Sequence, residues 1–243
     1  DLLNCFFSNQ YAGRGDLFEG MSVWEDEEYR KLQGTYPVIF LSFADVKQNN
    51  YIDAVAKVKN IIIDVYAQYE KLYLGDGMSP LQKQQYYSVN SEMSDVTAQD
   101  SLKMLASHLS NYYGKNVIIL LDEYDTPMQE AYIHGYWDEF TSFLRSMFNS
   151  TFKTNPYLER AVMTGITRVS KESMFSDLNN LNVVTTTSEE YSTSFGFTED
   201  EVFSSLDKFG LPDRKEQVKQ WYDGFTFGSQ NDIYNPWSII NYL

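Results

Sequence analysis

The sequence predicts an α/β fold. A parallel β-sheet flanked by helices occupies residues 1–187, and a small, mostly helical appendage occupies residues 188–243. Three observations predict it. Short apolar, β-rich runs alternate with amphipathic helical stretches, which implies parallel strands joined by crossover helices. One of these runs, Val117–Leu121, passes directly into Asp122 and Glu123, as a buried strand does when it surfaces at a ligand crevice. Beyond Thr187 the alternation stops and capped helical patterns take over.

Taken in order, "DLLNCFF" has the spacing of a helix and "GRGDLFEGM" reads as a loop. "YPVIFLSF", Tyr36–Phe43, is nearly continuous in apolar residues, as suits a strand covered on both faces. Asn49 and Asn50 supply caps for a long amphipathic helix marked by Ile52, Val55, Val58, Ile62, Val65, Tyr69 and Leu72. "GDGMSP" stops it, and the polar stretch to Thr97 has no legible period. Leu102, Leu105, Leu109 and Tyr112 mark the next helix, with Gly114 as its stop. After the Val117–Leu121 strand, Asp125 and Pro127 favour a turn, and His134 falls in a loop-like stretch. Trp137, Phe140, Leu144, Met147 and Phe148 mark a helix, "RAVMTGITRV" a third strand and Leu181–Thr187 a fourth. In the appendage, Thr198 begins one helix, Val218, Trp221 and Tyr222 lie in a second, and Asn235-Pro236 starts a third. Trp221, Tyr222, Phe225, Phe227 and Trp237 are expected to fill its small core.

Composition narrows the function. Nineteen Lys and Arg stand against 34 Asp and Glu, a net charge of −15, which argues against the chain gripping a nucleic-acid backbone. A nucleotide needs only a loop, a metal and a few cations. The single Cys5 makes no internal disulfide, and a reducing, cytoplasmic setting is the expectation. No apolar run reaches membrane-spanning length, so no membrane role is expected. His108 and His134 are far apart in sequence and are not read as metal ligands.

Carboxylates at the mouth of a buried strand are costly without something positive opposite them. The simplest partner is Mg²⁺, which prefers oxygen ligands, keeps waters and usually arrives with phosphate. Asp122 would hold the metal, and Glu123 would orient or deprotonate the water attacking a γ-phosphate. Four or more apolar residues followed by Asp-Glu is the arrangement called Walker B in P-loop ATPases. Thr164 would set a hydroxyl at the tip of the adjacent strand, in phosphate-sensing position, and Arg168 in the following loop would stabilise charge on the transferred phosphoryl group. The 243 residues contain no G-x-x-x-x-G-K-[ST] loop to cradle phosphate. Such a loop is expected just upstream of residue 1, and this stretch alone is expected to bind ATP poorly.

"VIILLDEYDTP", "TGITRVSKESMFSDLNNL", "EEYSTSFGFTEDEV", "WYDGFTFG" and "DIYNPWSIINYL" together resemble the bacterial AAA-ATPase-like family, over nearly the whole chain and in the same motif order. The resemblance implies a P-loop NTPase-like core, a lid or winged-helix-like appendage, and often a C-terminal nuclease-like domain of the PD-(D/E)XK type. It implies ATP and Mg²⁺ as cofactors, Asp122 as the Walker B aspartate, Glu123 as the catalytic glutamate, and Thr164 and Arg168 as the sensor strand and its loop. A nucleotide-driven switch follows, with the appendage as a surface for a protein partner. Two alternatives stay open: a noncatalytic interaction scaffold that retains the ATPase fold, and a two-metal nuclease using Asp122, Glu123 and Asp125.

Overall fold

A computed structural model describes residues 1–167, 178 and 181–243. The chain forms two compact units, Asp1–Asn179 and Asn180–Leu243.

The first unit opens with α1 (Leu2–Phe7) and two one-turn helices, α2 (Ser22–Glu25) and α3 (Glu27–Arg30). Strand β1 (Val38–Ser42) leads to α4 (Tyr51–Ala67), α5 (Glu70–Leu74), α6 (Pro80–Tyr87) and α7 (Asp95–Tyr113). Strand β2 (Val117–Asp122), helices α8 (Thr126–His134) and α9 (Trp137–Phe148), and β3 (Leu158–Met163) follow. The strands form one parallel sheet in the order β1-β2-β3, with Ile39 opposite Ile119 and Ile119 opposite Ala161.

Successive strand residues point to opposite faces. Ile39, Leu41, Val117, Ile119 and Leu121 line one face at 0–3 % exposure. Val38, Ile118 and Leu120 line the other, covered by Phe7 and Tyr36 with Phe40. Burial on both sides is why β1 and β2 read as continuous apolar runs. Gly114 ends α7 at φ 66, and Ser94 caps its start by accepting from the Thr97 amide.

The long helix expected over 52–72 is two helices, broken at Gln68-Tyr69. The stretch without a legible period holds α6, whose start is a capping box between Ser79 and Gln82 with Pro80 in the first turn. The expected turn at Asp125–Pro127 opens α8 instead, because proline is tolerated in a first helical turn. His134 is therefore helical and pairs with Glu130 at 3.4 Å.

His108 lies inside the helical layer at 2 % exposure. Its Nε2 is 3.0 Å from Gln85 Oε1 and its Nδ1 is 2.8 Å from the Tyr73 hydroxyl. Oε1 only accepts, so Nε2 donates and Nδ1 accepts, which satisfies a neutral ring. Burial pulls the His108 pKa down to about 4. An unfolded histidine titrates near 6.5, so acid favours the unfolded chain between those values. The stability is complete above pH ~6.5 and is lost as pH falls toward ~4, by about 3 kcal/mol in total. Urea midpoints at pH 7 and 4.5 should drop more for the wild type than for His108→Gln, and parallel drops would show that the ring charges without penalty.

The second unit contains β4 (Phe197–Thr198), α10 (Glu199–Lys208), α11 (Lys215–Tyr222), β5 (Phe225–Phe227), β6 (Gln230–Tyr234) and α12 (Pro236–Tyr242). The three strands form an antiparallel sheet in the order β4-β6-β5. The expectation of a mostly helical appendage thus needs a correction, since "DGFTFG" and "DIY" pair as a hairpin. Its two-residue loop is Gly228-Ser229, with Gly228 at φ 57, a conformation that glycine adopts without strain. Thr198 and Glu201 cap α10 reciprocally.

Leu181–Thr187 forms no strand. Two local bonds and one distant bond hold it instead: Thr185 N donates to Ser188 Oγ, Ser188 N to the Thr185 carbonyl, and, from the hairpin loop, Gly228 N to the Thr186 carbonyl. Hydroxyl side chains competing for backbone groups override the β propensity of the valines and threonines.

The small core consists of Val202, Leu206, Val218, Tyr234 and Ile239, with Tyr222 packed against it. Trp221 and Trp237 do not join it; they are 73 % and 77 % exposed. With Val218 and Tyr222 inward on α11, Trp221 sits at the edge of that stripe, about 60° from Val218 and about 100° from Tyr222, whereas Trp237 lies about 200° around α12 from the buried Ile239.

Candidate functional site

The carboxyl end of the β1-β2-β3 sheet gathers the acidic residues. Asp122 is the last residue of β2, opposite Ser42 of β1. Thr164 stands directly after β3, and its hydroxyl donates to Asp122 Oδ1. The Glu123 amide donates to the same oxygen at 3.1 Å. Asp122 Oδ2 accepts no hydrogen bond from a described residue, and no cationic side chain among the described residues pairs with Asp122 or Glu123.

Glu123 departs from the strand. Its φ of 50 places it in the left-handed region, which costs a residue with a Cβ about 1–2 kcal/mol. Three bonds hold it there: its amide on Asp122, its carbonyl accepting from Thr126 N at 3.2 Å, and its Oε2 accepting from Thr126 Oγ1 at 2.9 Å. The reversal carries Glu123 out to solvent and turns Asp125 inward.

Asp125 is fully buried. Its Oδ2 accepts from Thr167 N and Thr167 Oγ1, both at 2.6 Å, and from Gln129 Nε2 at 3.1 Å. Tyr124 N donates to the Thr164 carbonyl at 3.1 Å, and the Tyr124 hydroxyl to the Thr167 carbonyl at 3.0 Å. The turn after β2 thus grips the segment after β3.

Of the residues singled out in the sequence, the structure brings together Asp122, Glu123 and Thr164. Arg168 lies outside the described residues. Thr126 and Thr167 are additions. Thr126 was within reach of the sequence as the hydroxyl three residues after Glu123, whereas nothing local announces Thr167, which meets Asp125 across 42 positions. No group of three or more His, Cys, Asp or Glu able to hold a metal occurs among the described residues, and Asp125, one of the three acids of the two-metal nuclease alternative, is bonded to the loop after β3.

A family model for predicted AAA-ATPases matches residues 1–175, well over half of the chain. The chain belongs to the AAA-ATPase-like family. Family membership implies nucleotide binding in general terms. The chain is also similar to an uncharacterised protein from the vnfD 5′ region of Azotobacter chroococcum mcd 1, with 28 % identity over 234 residues. The match covers 95 % of this chain and 40 % of that relative, so the chain spans well under half the length of the curated protein it matches. No solved structure matches the chain. No helix among the described residues is long and apolar enough to cross a membrane.

Proposed function

We propose that this AAA-ATPase-like chain binds Mg²⁺-ATP at the carboxyl end of its parallel sheet and hydrolyses it, with the first unit as ATPase core and the second as a lid or winged-helix-like element. The single observation that carries the reading is Asp122: a strand-end carboxylate with one oxygen held by Thr164 and the Glu123 amide and the other without a hydrogen bond from any described residue.

The residues fit the implied metal. Mg²⁺ takes one or two carboxylates and fills its remaining positions with water and phosphate. Asp122 offers a hard carboxylate oxygen at the strand end, the kind of ligand this ion prefers. The ion, when bound, would neutralise charge on the phosphate oxygens. Thr164 and the Glu123 amide orient Asp122 by fixing its Oδ1. Glu123 presents a solvent-facing carboxylate held at Oε2 by Thr126, and its Oε1 is left to accept the proton of an attacking water. In this reading Asp122 is the Walker B aspartate and Glu123 the general base. Supporting the lid or winged-helix-like assignment, the second unit combines three helices with a hairpin.

The test is calorimetric titration of the full-length protein with ATP, with and without Mg²⁺. Wild type should bind more tightly with the ion, and Asp122→Ala should lose that difference by about tenfold or more, as a charge-assisted ligand is worth about 1.5–3 kcal/mol. An identical Mg²⁺ dependence in the variant would move the metal away from β2.

A further inference from the structure

Asp125 is the one fully buried carboxylate among the described residues, and nucleotide chemistry as proposed above leaves it without a task. It occupies the cap position of α8 yet makes no capping bond. A serine or threonine would start that helix at no charge penalty, whereas a carboxylate buried without a cation is costly. The three hydrogen bonds it accepts from described residues all go to Oδ2, and two of them come from Thr167. Oδ1 is buried and has no hydrogen-bond partner among the described residues. It lies against Gly165, where an added Cβ would stand 2.4 Å from it, so only glycine lets the loop after β3 close onto this carboxylate.

That loop begins at Thr164, the residue whose hydroxyl orients Asp122. Tyr124 grips it at both ends, through the Thr164 and Thr167 carbonyls, and Asp125 adds the charge-assisted bonds. We propose that Asp125 is a positioning residue: it latches Gly165–Thr167 so that Thr164 stays on Asp122, and it thereby couples the loop after β3 to the metal-nucleotide site. The catalytic half of this inference rests on the proposed ATPase reading; the latch itself does not. Coupling is reciprocal, so a nucleotide that draws Asp122 and Thr164 together also tightens the loop.

The experiment compares full-length wild type, Asp125→Asn and the milder Thr167→Val by amide hydrogen exchange over residues 164–167, with and without Mg²⁺-ATP, and by steady-state ATPase kinetics. Without nucleotide, Asp125→Asn should speed exchange at Thr167 by about tenfold, the loss expected for a hydrogen bond to a charged group. Thr167→Val, which keeps the amide bond, should speed it less. Asp125→Asn should also lower kcat by about tenfold while leaving the KM for Mg²⁺-ATP within about threefold, the signature of lost orientation rather than lost binding. Nucleotide should slow the exchange in wild type and fail to do so in Asp125→Asn. Unchanged exchange in Asp125→Asn overturns the latch whatever the kinetics. Faster exchange with unchanged kcat overturns the catalytic coupling. If Asp125→Asn does not fold, Thr167→Val decides by the same two readouts. A wild type that neither binds nor hydrolyses ATP sinks the ATPase reading and the coupling with it, and the exchange rates then judge the latch alone.

Discussion

Glu123→Gln in the full-length protein should keep nucleotide affinity and lose turnover by about 10²- to 10⁴-fold, the range that a positioned general base contributes. The substitution is close to isosteric. A glutamine oxygen still accepts the Thr126 hydroxyl that holds Oε2 at 2.9 Å. The backbone at φ 50 is unaffected, because glutamine and glutamate meet the same steric penalty there. The exposed position makes a stability change larger than about 0.5 kcal/mol unexpected. What disappears is the ability to take a proton. Parallel calorimetry and steady-state assays separate the two effects, since an unchanged dissociation constant with a collapsed kcat is the pattern of a transition-state role. Undiminished turnover would strip Glu123 of the base assignment and leave the strain at its backbone without a catalytic reason.

Ile119→Ala should destabilise the first unit by about 2–5 kcal/mol, the cost of a cavity in a core that cannot collapse around it. Ile119 is fully buried at the middle of the central strand, opposite Ile39, which is itself fully buried. The same strand ends at Asp122, so the cavity opens three residues from the site. Thermal unfolding of the full-length protein should show the transition of this unit falling by about 2–4 °C for each kcal/mol lost. Val162 on β3 provides the comparison: it is 39 % exposed, and Val162→Ala should cost under about 1 kcal/mol. Equal losses at the two positions would mean that strand propensity, not burial, sets the stability of the sheet.

Much of the architecture was legible in the sequence because it depends on short-range patterns. An apolar run of five residues between Asn116 and Asp122 has few ways to be buried other than as a central strand, and the structure makes it one. Gly114, Thr198 and Asn235 mark helix ends because caps act within one turn. Where the structure departs from the expectation, the reasons differ from element to element. Leu181–Thr187 has strand composition, but composition cannot supply a neighbouring strand, and its backbone groups pair with Ser188 and Gly228. The tryptophans of the second unit have the size of core residues, yet Trp237 lies opposite the buried Ile239 on its helix and Trp221 at the edge of the Val218–Tyr222 stripe, and both are exposed. The hairpin at Gly228-Ser229 carried a local signal, glycine-serine between two β-rich stretches, that the helical texture around it obscured.

By itself, the sequence determined where the candidate site lies in the chain. Asp122 and Glu123 follow the buried strand, and the order of apolar runs and caps places that strand in a parallel sheet. Only the tertiary structure decided where each acid points and what holds it. Adjacent residues of an extended strand would point to opposite faces, but the left-handed turn at Glu123 breaks that rule. It leaves Asp122 on the strand end, sends Glu123 to solvent and turns Asp125 into the interior. Bonds to Asp122 and Thr126 hold the turn at Glu123 locally, but those that fix the Asp122 and Asp125 carboxylates come from Thr164 and Thr167, 42 positions away from the acids they meet. A bond between distant residues forms only when folding brings them together, so no local pattern of residues encodes it.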